Sequence, residues 1–204
     1  MRGDSITITI DTKKAIEGLK KKQEAGKKAV ARTVSDMKSR APGAVASAVT
    51  DVFRIKKSEV TPVSKSAKGP QKKAVSVKVT GETIEDLALV YQGRRLTPIH
   101  FGMTPKAPTP GQKYKIQFEV RKGQKKTLQG KPYLAQPPFL APNGAGTYIP
   151  FQRRADGSRD LAYSVRTTSV PQMIKDEKDV EPDIQKRLNE LLSKRLEYHM
   201  SKAK

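Results

Sequence analysis

The chain has 204 residues and no cysteine, so it can form neither a disulfide framework nor a thiolate metal site. Its apolar runs are shorter than the roughly 18 residues of a membrane span, and the first residues lack a signal-peptide pattern, so we expect no membrane segment and assembly in a reducing cytoplasm. Forty-one Lys and Arg oppose twenty Asp and Glu, and this net charge of +21 favours nucleic acid or an acidic protein as partner over a merely Lys-rich soluble surface.

The first third of the chain predicts a strand followed by helices. Ser5–Asp11 alternates Ile with polar residues, which is typical of a half-buried strand. A long, basic, amphipathic helix is predicted from Thr12 to Arg40, and the helix-breaking Pro42 is expected to end it. A second helix is predicted over Ala44–Ile55 and a short one over Lys56–Val60.

The middle of the chain predicts extended structure. Val63–Lys73 is rich in Ser, Lys, Gly and Pro and indicates a flexible basic loop, and the three prolines of Thr104–Gly111 indicate another. Arg121–Lys126 reads as a basic hairpin turn. The predicted strands are Ala74–Thr80, Leu87–Tyr91, Leu96–Phe101, Tyr114–Val120, Tyr133–Leu140 and Thr147–Arg154, the last two at edges or in loops because prolines flank them.

The C-terminal region predicts one long helix over Glu181–Lys202, with acidic residues near its start and basic ones near its end. Together the elements indicate an α+β fold in which N-terminal helices and this helix pack on a mostly antiparallel sheet, with extended loops or arms. Aromatic residues are 5% of the chain, so we expect a modest core and burial against neighbouring subunits. We predict one domain over 1–204, divided into a strand-and-helix region 1–62, a loop 63–73, a β-rich core 74–168, and a connector with the last helix 169–204.

The sequence offers little that resembles catalytic machinery, and we expect no enzyme and no cofactor. The two histidines are His100, predicted as a structural residue of an extended segment, and His199, predicted at the surface. No nucleophile triad, zinc motif or phosphate loop is recognisable. A divalent-metal nuclease site at Glu82, Glu85 and Asp86 is a hypothesis that no converging partner supports.

Two segments carry a likeness to a known family. Arg94–Gly102, which ends in Ile-His-Phe-Gly, and the run Ser-Val-Pro-Gln-Met at 169–173 both resemble motifs of the phage minor tail protein Z family. An acidic stretch and a final helix containing Lys186–Tyr198 follow the second motif, as in that family. The motif residues are Pro98, Ile99, His100, Phe101, Gly102, Ser169, Val170, Pro171, Gln172 and Met173. Pro98 and Gly102 are expected to bracket a strand, and Pro171 to stiffen a connector whose Val170 and Met173 pack down, so we interpret both motifs as folding elements.

The resemblance implies a structural virion protein at the head-proximal end of a long tail. Its implied partners are further copies of itself in a ring of six, the tail terminator and tail tube, the head–tail connector, and phage DNA threaded through the lumen. It implies no membrane and no catalytic residue. The alternative from another class is a basic, non-specific nucleic-acid-binding protein of the ribosome or nucleoid.

Two basic segments are the candidate contacts with DNA or a partner. Their residues are Lys65, Lys68, Lys72 and Lys73 in the predicted loop, and Arg121, Lys122, Lys125 and Lys126 in the predicted hairpin turn. Aromatic side chains are not interleaved with these residues, as a surface that stacks on single-stranded bases would require. Any contact with DNA is therefore expected to be with the charged phosphate backbone.

Overall fold

The structure is a computed structural model that describes residues 4–10, 24–61, 75–135, 137–154, 162–176 and 178–202. The chain divides into two compact units. Unit 1 comprises Met1–Thr50, Lys57–Arg94 and Val170–Lys204, and unit 2 comprises Asp51–Lys56 and Arg95–Ser169. Helices combine with small antiparallel sheets, so the predicted α+β class is confirmed. The single domain over 1–204 stays a prediction.

Unit 1 contains a three-stranded antiparallel sheet. Its strands are β1 (Asp4–Thr9), β2 (Val75–Thr80) and β3 (Ala88–Gly93), and β3 lies in the middle. Leu89 of β3 is opposite a β1 residue on one side and a β2 residue on the other, and its side chain is fully buried. The predicted strands Ser5–Asp11, Ala74–Thr80 and Leu87–Tyr91 are therefore confirmed within the described residues. The first two alternate apolar and polar residues, as a half-buried strand requires.

The long helix α1 extends over Glu24–Val52 and passes straight through Pro42. The predicted helix end at Pro42 and the separate helix over Ala44–Ile55 are therefore wrong, while Thr12–Gln23 lies outside the described residues. Proline removes one backbone hydrogen bond from a helix interior. Here Ala41 and Val45, on either side of it, are both fully buried, so one continuous apolar stripe favours one continuous helix.

A chain of hydroxyl groups leads from the sheet to the carbonyl group of Pro42. The Thr61 hydroxyl donates to the Pro42 oxygen at 2.9 Å and lies 3.4 Å from the Tyr91 hydroxyl. Since the Thr61 proton is used toward Pro42, the Tyr91 hydroxyl is the donor in the second contact. Burial raises the pKa of Tyr91 to about 12.

This buried phenol predicts a loss of stability in alkali. The pKa of Tyr91 is about 12 in the folded chain, above the ordinary value of 10.0. The buried neutral phenol therefore contributes fully to the free energy of unfolding below pH 10, and this contribution is lost as the pH rises toward 12. The free energy of unfolding should fall by about 2–3 kcal/mol over this pH range because of Tyr91. Denaturant unfolding at several pH values in this range measures the decline for wild type and for Tyr91→Phe. The free energy of unfolding of Tyr91→Phe should fall less with pH, because the titrating hydroxyl is gone. Tyr133→Phe, at an exposed tyrosine, should leave the decline unchanged, and equal profiles for all three proteins would contradict the prediction.

Three further helices complete unit 1. They are α2 (Lys57–Val60), α3 (Val170–Asp176) and α4 (Val180–Lys202), so the predicted short helix and C-terminal helix are confirmed. The predicted connector is itself helical, and α3 packs against β1, β3 and α4. Helix α4 buries Ile184, Leu188 and Leu192 on one stripe. No helix of the described residues is both long enough and apolar enough to cross a membrane.

His199 is not the surface residue that the sequence suggested. Its side chain is 12% exposed, and its Nε2 atom lies 3.1 Å from Oδ2 of Asp36 on α1. Arg195, one turn earlier on α4, approaches the same carboxylate at 3.8 Å. The adjacent Tyr198 is half exposed instead, so the helical phase of α4 turns the tyrosine outward and the histidine toward α1.

Unit 2 has a 3₁₀ helix and two small antiparallel sheets. The 3₁₀ helix is Pro98–Phe101. The first sheet is a hairpin of two short strands, and the second is a three-stranded sheet with β7 in the middle. The strands are β4 (Gln117–Phe118), β5 (Lys126–Thr127), β6 (Phe139–Pro142), β7 (Tyr148–Arg153) and β8 (Ala162–Ser164). Edge strand β6 ends in a proline, as expected where one side of a strand needs no partner.

Three strand predictions in unit 2 need correction, although the loop over Thr104–Gly111 and the strand over Thr147–Arg154 are confirmed. Leu96–Phe101 ends in the 3₁₀ helix, because Pro98 suits a first helical turn and Gly102 ends it in the left-handed conformation. Tyr114–Val120 forms a strand only at β4, since beyond the hairpin its backbone hydrogen bonds go to Phe101, Thr104 and Arg54. Tyr133–Leu140 becomes a strand only from Phe139 onward.

Candidate nucleic-acid interface

The basic turn predicted at Arg121–Lys126 connects β4 and β5 in a hairpin. Gln117 is opposite Thr127, and Phe118 is opposite Lys126. The turn is closed by the Gln124 amide, which donates to the Arg121 carbonyl at 3.0 Å, and by Gly123, whose φ of 78° suits glycine. Arg121 is half-buried, whereas the side chains that follow are exposed, including Lys122, Lys125 and Lys126. The hairpin therefore presents three lysines to solvent.

Two ladder pairs are too few to hold such a hairpin, and a neighbouring segment of unit 2 supports it. Phe53 forms an antiparallel bridge with Arg121. The Arg54 amide donates to the Val120 carbonyl at 2.9 Å, and the Lys122 amide donates to the Val52 carbonyl at 3.0 Å. The start of the turn is thus fixed by backbone hydrogen bonds to residues 52–54.

A single carboxylate joins this support to the tip of the turn. Glu119 Oε1 accepts a hydrogen bond from the Gly123 amide at 2.6 Å, and Oε2 pairs with Nη1 of Arg54, also at 2.6 Å. These two contacts hold the pKa of Glu119 below its ordinary value, so the carboxylate is charged at neutral pH. The positive charge of Lys125 in the turn also lowers the pKa of Glu119, to a smaller extent.

The first motif segment lies directly beside this arrangement. The Phe101 carbonyl accepts a hydrogen bond from the Glu119 amide at 2.9 Å, and the Phe101 side chain is fully buried. Gly102 has φ 62°, and a Cβ atom there would lie 2.6 Å from Nε of Arg54. The left-handed backbone favours glycine at 102, and a methyl group there would require the exposed Arg54 side chain to move. Ile99 and His100 of the same segment are half-buried.

The second motif segment belongs mainly to unit 1. Ser169, which ends unit 2, is fully buried. Val170, Pro171 and Met173 of α3 are buried too, and Gln172 is half-buried. Within unit 2, the Leu96 backbone of the first segment exchanges hydrogen bonds of 2.8 Å with Thr167 and Thr168, directly before the second segment. Most of the motif residues are buried, although Gly102 is exposed, and their interpretation as folding elements stays a prediction.

Positive charge is concentrated in unit 2. Its 81 residues include fifteen Lys and Arg and four Asp and Glu, a net charge of +11, against +10 over the 123 residues of unit 1. Two of those four acids, Glu119 and Asp51, lie within the described residues. The other basic candidates, Lys65, Lys68, Lys72 and Lys73, lie outside the described residues.

The acidic cluster has a structural explanation. Asp86 accepts hydrogen bonds from the Thr83 hydroxyl and amide, both at 2.7 Å, and from the Glu82 amide at 3.1 Å. The Thr83 hydroxyl and these amides lower the pKa of Asp86, which organises the turn before β3. The described residues contain no group of three His, Asp or Glu side chains that could hold a metal ion.

Sequence reasoning missed the pairing of Arg54 with Glu119. The two residues are 65 positions apart, and no periodic pattern relates them. One signal was present, because Glu119 is the only acidic residue between Asp86 and Asp156 and stands among many lysines. A lone carboxylate in a basic stretch is a candidate for a specific ion pair. Comparison of the chain with family models, curated proteins and solved structures gives no match.

Proposed function

We propose that this chain is a structural protein of a phage virion, completing the tail at its head-proximal end. Copies of the chain form a ring, with six as the expected number, between the tail tube and its terminator on one side and the head connector on the other. DNA passes through the lumen of the ring. The chain has no catalytic role in this proposal.

The observation that carries the proposal is the pair of segments Arg94–Gly102 and Ser169–Met173, which resemble motifs of the phage minor tail protein Z family. The excess of positive charge supports it, because basic groups facing a channel balance the phosphates of DNA inside it. A core with few aromatic side chains supports it as well, since subunit contacts would supply additional burial.

The test is the position of the protein in purified particles. Virions carrying an epitope tag on this chain should bind the antibody at the head–tail junction, and cryo-EM of the same particles should show ring density there. Reversal of charge at Lys125 and Lys126 should reduce infectivity, with particles that still contain the protein. Absence of the chain from the junction would refute the proposal.

The alternative proposal is a non-specific nucleic-acid-binding protein of the ribosome or nucleoid. The exposed lysines of the hairpin favour it equally, because contacts with phosphates need no virion. Size-exclusion chromatography with light scattering separates the two: a monomer with tight and steeply salt-dependent binding supports the alternative, whereas a ring supports the first proposal.

A further inference from the structure

We infer that the β4–β5 hairpin is a preorganised binding element for the phosphate backbone of nucleic acid, and that Gly102, Arg54 and Glu119 are its positioning residues. This deepens the proposed function, since it assigns the DNA contact to one element. The binding itself can be measured on the purified full chain, without reference to any particle.

The chemistry of the turn favours phosphate over an acidic protein surface. From Arg121 to Thr127 the side chains are basic or polar, and Gly123 has none, so the turn offers no apolar or aromatic anchor. Protein interfaces depend on such anchors at their centre, whereas phosphate contacts need only positive charge and hydrogen-bond donors. The lack of an aromatic platform also argues against stacking on single-stranded bases, so the contact is independent of sequence.

The positioning follows from a continuous set of contacts within unit 2. Gly102 leaves space for Arg54, Arg54 pairs with Glu119, and Glu119 holds the amide of Gly123 at the tip of the turn. A turn fixed in this way loses less conformational freedom on binding than a flexible loop with the same charges. The role of the first motif is then to hold the lysines of the hairpin in place.

The direct contact is tested with Lys125→Gln/Lys126→Gln, using fluorescence anisotropy on a short duplex of random sequence. The logarithm of the association constant plotted against the logarithm of salt should lose about two units of slope, and the affinity at about 0.1 M salt should fall on the order of 10- to 100-fold. The matched control is Lys38→Gln/Lys178→Gln, which removes the same charge from exposed positions in unit 1. Equal losses in both double variants would overturn the assignment.

The positioning is tested with Glu119→Ala and Glu119→Gln, because charge and geometry predict opposite results. Each variant makes the protein more positive by one charge, so charge alone predicts tighter binding. We expect weaker binding instead, by about two- to tenfold for Glu119→Ala, since ordering a loosened turn costs affinity. Glu119→Gln keeps an acceptor for the Gly123 amide and should lose less. Binding as tight as wild type or tighter in both variants would refute the positioning role.

Gly102→Ala tests the first step of the same set of contacts. Its control is Gly146→Ala, because Gly146 has a comparable φ of 75° but nothing within 4 Å of the position of a Cβ atom. Both should be destabilised by backbone strain, and only Gly102→Ala should lose affinity for the duplex. If Gly102→Ala does not fold, the order of the two Glu119 variants still decides the question.

The same titrations distinguish the partner. Competition with polyglutamate at equal charge should leave most of the duplex bound, and effective displacement would assign the hairpin to an acidic protein and overturn the inference. A wrong proposed function gives a different result. The protein would then be missing from the head–tail junction, while its binding to the duplex would stay as expected.

Discussion

Phe101→Ala should lower the free energy of unfolding by about 3–5 kcal/mol, the usual loss for a fully buried aromatic side chain. Phe101 is completely shielded from solvent, and its carbonyl group accepts the Glu119 amide. The loss combines the hydrophobic transfer of the ring with the cavity that it leaves. Amide hydrogen exchange should accelerate across unit 2, and chemical denaturation should give the magnitude.

Tyr133→Ala is the matched control for this substitution. It also truncates an aromatic side chain of unit 2, but Tyr133 is 66% exposed. The Nζ atom of Lys131 lies 5.5 Å from the centre of its ring. We expect a change of about 1 kcal/mol or less, the value of an exposed cation–π contact. Similar effects of the two substitutions would mean that the Ile-His-Phe-Gly run does not act through the core.

Met173→Ala should cost about 2–5 kcal/mol, because Met173 is buried in α3 where that helix packs on β1, β3 and α4. Lys175→Ala, on the exposed side of the same helix, should stay within about 0.5 kcal/mol of wild type. Unfolding by denaturant, followed by far-ultraviolet circular dichroism, measures both. A Met173→Ala protein as stable as Lys175→Ala would contradict a folding role for the second motif and would favour a binding role.

The sequence predicted those elements whose pattern is both regular and long enough. Ser5–Asp11 and Ala74–Thr80 alternate over several residues, and Ile184, Leu188 and Leu192 repeat with a helical period, so a local rule and the tertiary structure agree. At Pro42 they disagree, and burial of apolar residues on both sides outweighs the lost hydrogen bond. At Ile99–Phe101 the apolar run is too short to distinguish a strand from a 3₁₀ turn.

The candidate site was predictable in part. The lysines of the hairpin are visible as a cluster in the sequence, and the structure confirms that a turn presents them. The support of that turn was not predictable, because it depends on contacts between Val52–Arg54 and Glu119–Lys122 that only the folded chain creates. Charge clusters follow from composition, whereas their geometry is a property of long-range packing.

The division of the chain has a consequence for its synthesis. Every residue of unit 2 has been made once Ser169 is joined, but the core of unit 1 also needs Leu192, which comes 23 residues later. At ribosomal speed the difference is roughly 1 to 5 s. Until Asp176 is joined, β1 and β3 lack the helix α3 that packs on them, and until Leu192 is joined α3 lacks α4. Apolar surface exposed on a nascent chain in this way favours binding by chaperones.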